Sequence, residues 1–286
     1  MKIKTKMALS ILATSLLSVA NASIISEAKE NGTINVGNRQ DSIPYSQTVE
    51  NGAKGYSVDI CNAIGEKLSK KLGKEIKLQY QEVSSANRIP LVANHTIALE
   101  CGSTTITEER KQKINFIPID ADIVVPAVLK GKEGTIKTLE DLRDKKVIVV
   151  SNTTGDKYMS QLNTKGYNIE IVKVKDYAMA FESLSQNRGV AVVSDKALLL
   201  GQTEKPENKG KFAYSNLKTG DDEVIGIGYP KDDAEFSAFI QETDREFKKN
   251  GTYLKLREKW FNAPVKELGY SLNYKTTNEV KDLLTK

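Results

Sequence analysis

Apolar and polar positions along this chain follow two rhythms that take turns. Residues 33–37 alternate as a short strand and run into a turn containing Pro44. Val58, Cys61, Ile64, Leu68 and Leu72 then fall three or four residues apart, which puts one apolar stripe on a helix over 57–72. Residues 76–80 read as a strand, 87–92 as a short helix and 96–101 as the next strand. The pattern restarts with a strand at 123–129 and a short helix at 138–143, where Thr138 can cap and Asp141 follows three residues later. Strands at 146–150, 169–174, 190–193 and 225–229 come next. Helices from Thr154 and over 178–186 lie between them, and a Lys/Glu-rich stretch spans 203–210. A helical finish from Ala234 carries Phe239, Phe247 and Leu254 before Trp260 and Phe261.

Strands separated by helices predict the α/β class, with right-handed crossovers and largely parallel pairing. Two such runs, followed by a tail long enough to return to the first, predict two lobes. Each would be built on its own mixed, mostly parallel sheet, with a ligand cleft between them. The expected division is 23–121 for the first segment of lobe 1, 122–219 for lobe 2 and 220–286 for the return to lobe 1. The crossings then lie near Asp120–Asp122 and Thr219–Asp222.

The first 22 residues change the charge picture. Lys2, Lys4 and Lys6 precede an apolar run from Met7 to Val19, and Ala20 and Ala22 supply the small residues of a cleavage site. This is the pattern of a secretory signal peptide, too short and too interrupted by Thr14, Ser15 and Ser18 for a membrane span. Its three lysines account for most of the net charge of +5, leaving +2 on the mature chain. Basicity is therefore no argument for nucleic-acid binding.

Cys61 and Cys101 are too few for a disulfide scaffold. An exported chain can pair them, but spacing alone does not give the geometry, and two buried thiols are slightly preferred. One histidine, His95, is expected in a loop and cannot by itself build a histidine metal site or a triad. No metal and no cofactor is expected.

Ligands of open parallel sheets sit beyond the carboxyl ends of the strands. Those ends carry Arg39 after the first strand, Ser85 and Arg88 after the second, and Ser103, Thr105 and Arg110 after the third. In the second half they carry Thr154 at a helix start and Asp195. Guanidinium grips carboxylate through two parallel hydrogen bonds, a helix N-terminus offers free N–H groups, and aspartate suits an ammonium. Carboxylate and ammonium together describe an α-amino acid. The further arginines call for a second anion.

The stretch 105–111 (TITEERK) with 114–116 (INF) resembles the signature of the periplasmic solute-binding proteins of polar amino-acid ABC transporters. Further matches are 55–60 (GYSVDI), 151–155 (SNTTG), 251–253 (GTY) and 259–261 (KWF). Within that family, 85–90 (SANRIP) and 100–105 (ECGSTT) look like the glutamate/aspartate-binding branch. The resemblance implies a type II periplasmic-binding-protein fold that closes on its ligand. It further implies a monomer in the periplasm that delivers its cargo to an inner-membrane ABC permease. Carried over by position, Arg110, Thr105 and Thr154 hold the α-carboxylate, Asp195 and Ser103 the amino group, and Arg39, Ser85 and Arg88 the side-chain carboxylate. Tyr177 completes the cage where the branch commonly has histidine, and Asn152 stands where glycine is common.

Three arginines and Asp195 sum to +2 against −1 for glutamate or aspartate, so a nearby acid or water must balance the rest. Glutamine would leave Arg39 and Arg88 without an anion, which ranks it below the acidic amino acids. A dehydratase on the same scaffold needs a placed general acid or base, for which Glu100 and Glu182 are the candidates. An adhesin or receptor-sensor role stands as an additional duty.

Overall fold

The structure is a computed structural model that describes residues 23–50, 52–215, 217–265 and 268–286, so the expected signal peptide lies outside the described residues. Helix α1 (Ile24–Asn31) leads into β1 (Thr33–Asn38) and a small antiparallel sheet of β2 (Asp41–Ser42), β3 (Ser46–Val49) and β4 (Gly52–Lys54). Then follow α2 (Tyr56–Leu72), β5 (Lys77–Glu82), α3 (Arg88–Ala93), β6 (Leu99–Thr105), α4 (Glu108–Lys111) and the long β7 (Asn115–Leu129). Two 3-10 turns precede β8 (Lys146–Val150), α5 (Thr154–Thr164), β9 (Glu170–Val174), α6 (Tyr177–Ser185), β10 (Ala191–Asp195), α7 (Lys196–Thr203) and β11 (Phe212–Tyr214). The chain ends with β12 (Asp222–Tyr229), α8 (Ala234–Asn250), α9 (Thr252–Phe261) and α10 (Asn278–Leu283).

The α/β class holds, and the two mixed sheets share one long strand. The large sheet runs β5-β1-β6-β12-β7-β10-β8-β9, with β11 also on β7. It is parallel at both ends, where β1 pairs with β5 and β6 and β8 with β9 and β10, and antiparallel in the middle. The joint is β7. Its residues up to Ile123 pair with β12, and from Val124 it pairs with β10 and β11.

Sequence rhythm located only the second part of β7 because Asp120 and Asp122 interrupt the apolar run. Both are buried with partners. Asp120 accepts from Arg257 Nε and Tyr45 OH, each at 2.9 Å, and Asp122 from Ala197 N at 2.8 Å and Tyr274 OH at 2.7 Å. The polar breaks are thus satisfied inside the sheet. Strand β6 likewise begins later and runs further than 96–101, ending at Thr105 with every residue buried.

The predicted stripe on α2 is real: Val58, Cys61, Ile64 and Leu68 are fully buried, in a core shared with β1 and β6. That packing overturns the preference for free thiols. The Cα atoms of Cys61 and Cys101 lie 6.2 Å apart and the two residues form a disulfide, a separation typical of such bridges. A 40-residue spacing says nothing about which helix face meets which strand, so the pairing was beyond sequence reasoning. Ser57 Oγ, on the same helix, donates to the Gly102 carbonyl at 2.6 Å. A second core of Val124, Val128, Val147, Val149, Met159 and Val193 lies under the other half. After α9 the tail runs back over β7, with Tyr270 OH donating to the Gly201 carbonyl at 3.0 Å and α10 burying Val280 and Leu284. His95 sits in a turn at φ 60° and pairs with Asp232 at 2.6 Å.

Candidate functional site

The ends of β1 and β6 and the start of α3 form one wall. Arg39 and Arg88 are 3% and 2% exposed, although each carries a full charge. Gly102 makes room for the first: a Cβ there would lie 2.9 Å from Arg39 Cγ and 2.1 Å from Glu100 Oε1. Glu100 is completely buried near the start of β6, accepts from Thr104 Oγ1 at 2.6 Å and faces Arg88 Nη1 at 3.9 Å. Burial pulls the Arg88 guanidinium down to about 9. Glu100 opposes that shift, while Arg39 and Arg110 lie near enough to add like-charge repulsion. Arg88 Nε and Nη1 are buried with no hydrogen-bond partner among the described residues. Buried charged donors left like this are costly, so the wall is poised for an anion.

Arg110 is half-buried at the next turn of the chain. The Thr107 side chain caps α4 by accepting from the Arg110 N–H at 3.3 Å, which fixes the backbone from which the guanidinium reaches back. Its Nη1 donates to the Thr105 carbonyl at 2.7 Å and its Nη2 to the Asn152 carbonyl at 3.3 Å, so it spans from β6 to the loop before α5. Asn152 holds φ 60°, a left-handed conformation that asparagine tolerates better than most residues.

The facing wall comes from α5, α6 and β10. Tyr177 OH and Ser194 Oγ are 3.1 Å apart, and Ser194 Oγ donates to Asp195 Oδ2 at 3.2 Å. Asp195 is 4% exposed, with Oδ1 buried and without a hydrogen-bond partner among the described residues. Burial, then the charges of Glu223 and Asp122, hold its carboxyl well above the usual carboxylate range. Burial also raises the Tyr177 hydroxyl.

The walls touch at several points. Ser85 Oγ donates to the Ser151 carbonyl at 2.8 Å, Lys157 meets Glu109 at 3.6 Å, and the Asp41 carboxylate accepts from Ala178 N at 2.6 Å. A cavity of about 370 Å³ at the mouth is lined by Ser85, Arg110, Thr154 and Lys157 among others.

Of the nine residues singled out in the sequence, Ser85, Arg110 and Thr154 line this cavity, Ser103 and Thr105 are buried on β6, and Thr154 faces Thr105 at 3.5 Å. Two acids were missed as members of the cleft. Glu100, weighed only as an enzymatic acid, is the partner of Arg88. Glu223, on β12, takes the hydroxyls of Thr105 and Thr154 at 2.6 and 3.0 Å on its Oε2. With both included, the cleft holds three arginines and three acids rather than a surplus of +2.

What this chain is similar to agrees with the arrangement. The model of bacterial extracellular solute-binding proteins, family 3, matches residues 34–263. The glutamate/aspartate import solute-binding protein of Escherichia coli (strain K12) is 35% identical over 92% of this chain and 88% of its own. The L-glutamate/L-aspartate-binding protein of Pseudomonas aeruginosa is 33% identical over 91% and 87%. Among solved structures, a mutant of the arginine-binding protein ArgBP from T. maritima superposes with a TM-score of 0.72 at 31% identity, covering 84% of this chain and 100% of that one.

Proposed function

The chain belongs to the bacterial extracellular solute-binding proteins of family 3, and from that premise we propose that it captures an acidic L-amino acid, glutamate or aspartate, and delivers it to an ABC permease. Arg110 takes the α-carboxylate with help from the start of α5 at Thr154. Asp195 and Ser103 take the ammonium. Arg39, Ser85 and Arg88 take the side-chain carboxylate, with Tyr177 closing the far side. Lobe 1 is 23–121 with 220–286 and lobe 2 is 122–219, the crossings running along β7 and β12. Ligand stabilises the closed form because only there do both lobes contact it. The exchange of partners on β7 at Ile123 and Val124 supports that division. The chain works outside the inner membrane after export, as a monomer.

The observation that carries the ligand class is the Arg39, Arg88 and Glu100 cluster. Two buried guanidiniums against one buried carboxylate leave one positive charge at that end of the cleft. A side-chain carboxylate balances it, whereas a glutamine amide leaves it unpaired, at a cost on the order of 2–5 kcal/mol. The names of the Escherichia coli and Pseudomonas aeruginosa relatives point the same way. Calorimetric titration of the mature protein against the twenty amino acids tests the reading. Tight binding of glutamate or aspartate is expected, and tight binding of glutamine with neither acid overturns it.

A further inference from the structure

Glu223 is 3% exposed and lies on β12, yet its two carboxylate oxygens have different surroundings. Oε2 is fully engaged by the hydroxyls of Thr105, from β6, and Thr154, from α5. Oε1 is buried with no hydrogen-bond partner among the described residues, and so is Oδ1 of Asp195. The two residues come from the strands flanking β7, Glu223 in register with Asp122 and Asp195 with Val124, and the charge of Glu223 raises the Asp195 carboxyl. Two buried carboxyls brought together keep both charges only with a cation between them; without one they share a proton, the direction in which Glu223 pushes Asp195. No lysine or arginine donates to either oxygen among the described residues.

Resting on the amino-acid reading above, we propose that Glu223 is a second acceptor of the ligand's α-ammonium, so that the amine is held between Asp195 on one wall and Glu223 on the crossing strand. An ammonium carries three donors, and Asp195 alone uses one or two of them. Glu223 Oε1 supplies a further acceptor of the right charge. Because Oε2 already gathers one hydroxyl from each half, the same side chain that reads the amine also ties β6 to α5. Amine recognition and closure then meet on one carboxylate. A purely structural latch would need Oε2 alone, and the unpaired Oε1 beside the unpaired Asp195 Oδ1 is what distinguishes the two roles.

This assignment makes the amine itself a selected group. Glutarate, which is glutamate without its amine, presents both carboxylates to the arginines but leaves Asp195 and Glu223 facing each other without a cation. The test is calorimetric titration of L-glutamate and of glutarate into the mature wild-type protein and into Glu223→Gln, with circular dichroism to confirm folding. Glu223→Gln lowers L-glutamate affinity by about 10- to 100-fold, the usual worth of a hydrogen bond to a charged group. Glutarate affinity changes by less than about threefold or improves, so the ratio between the two ligands collapses. Equal losses for both ligands mean a structural latch only, and an unchanged glutamate affinity means no role; either overturns the inference and leaves the acidic-ligand reading standing. If the wild type takes L-glutamine and not L-glutamate, that reading fails, and the same ratio measured with L-glutamine and its des-amino form, glutaramic acid, decides the role of Glu223. A wild type that binds none of these overturns both. Should Glu223→Gln not fold, Glu223→Asp keeps the charge and shortens the reach. It weakens L-glutamate at least about threefold with glutarate unmoved, and equal effects on both again overturn the assignment.

Discussion

The two walls of the cleft solve opposite problems. The wall made by β1, α3 and β6 concentrates positive charge: Arg39 and Arg88 are almost wholly buried, and Glu100 is their only acidic neighbour recorded at ion-pair distance among the described residues. The wall made by α5, α6 and β10, completed by Glu223 from β12, concentrates acceptors and hydroxyls. They also differ in how they are held. The cationic wall is tied within itself, by the Cys61–Cys101 bridge and by Ser57 on the Gly102 carbonyl. The acceptor wall depends on partners opposite, because Thr154 shares Glu223 with Thr105 and α6 leans on Asp41. On the proposed assignment, discrimination between side chains is built where a disulfide ties the scaffold, and the reading of the common amino-acid end is built where the two walls meet.

Removing the group that serves both walls should have the largest effect. Arg110→Ala is expected to abolish binding of every amino acid, a loss on the order of a thousandfold, since a buried carboxylate is left without its guanidinium. Retention of binding within tenfold in a titration would show that the α-carboxylate is held elsewhere. Next comes the bridge. Replacing Cys61 and Cys101 by alanine releases a 40-residue loop, which the chain-entropy model values at about 4 kcal/mol of stability. Chemical denaturation should show that loss, with amino-acid selectivity relaxing along with it. An intact glutamate-to-glutamine ratio in the double variant would mean that hydrogen bonds alone hold the cationic wall. The smallest effect is confined to one end of the ligand. Arg88→Ala should reduce the preference for glutamate over glutamine by about 10- to 30-fold while glutamine binds nearly as before, a loss of about 2 kcal/mol. A preference that survives the change would remove Arg88 from side-chain recognition.

Much of this was legible in the chain, for reasons that also explain the gaps. Helical spacing found the buried stripe of α2 because one face of a helix meets one core. Residues at strand ends could be grouped because parallel sheets bring their carboxyl ends together, and Ser85, Arg110 and Thr154 line one cavity. Acids inside strands gave no such signal. Glu100 stands between Leu99 and Cys101 in a strand buried throughout, where alternation predicts nothing, and its partner Arg88 comes from a helix twelve residues earlier. Glu223 closes an Asp-Asp-Glu run that reads as a solvated cluster. Asp221 and Asp222 are indeed exposed, and only the third acid turns inward. The charge count made from sequence left the balance to a nearby acid or water, and Glu100 and Glu223 are acids that it could not place.

The contacts that bridge the mouth also bear on time. Ser85 on the Ser151 carbonyl, Arg110 on the Asn152 carbonyl, Lys157 on Glu109 and Asp41 on the start of α6 all lie between the two walls. A ligand enclosed behind them departs only when they part together, whereas its arrival is governed by diffusion to the open cleft. Among closely related complexes, most differences in affinity are differences in departure rate. The residence time of the cargo therefore depends on this rim as well as on the groups that touch it, with Ser85 and Arg110 proposed for both, and whatever receives the cargo must supply the work of separating four contacts.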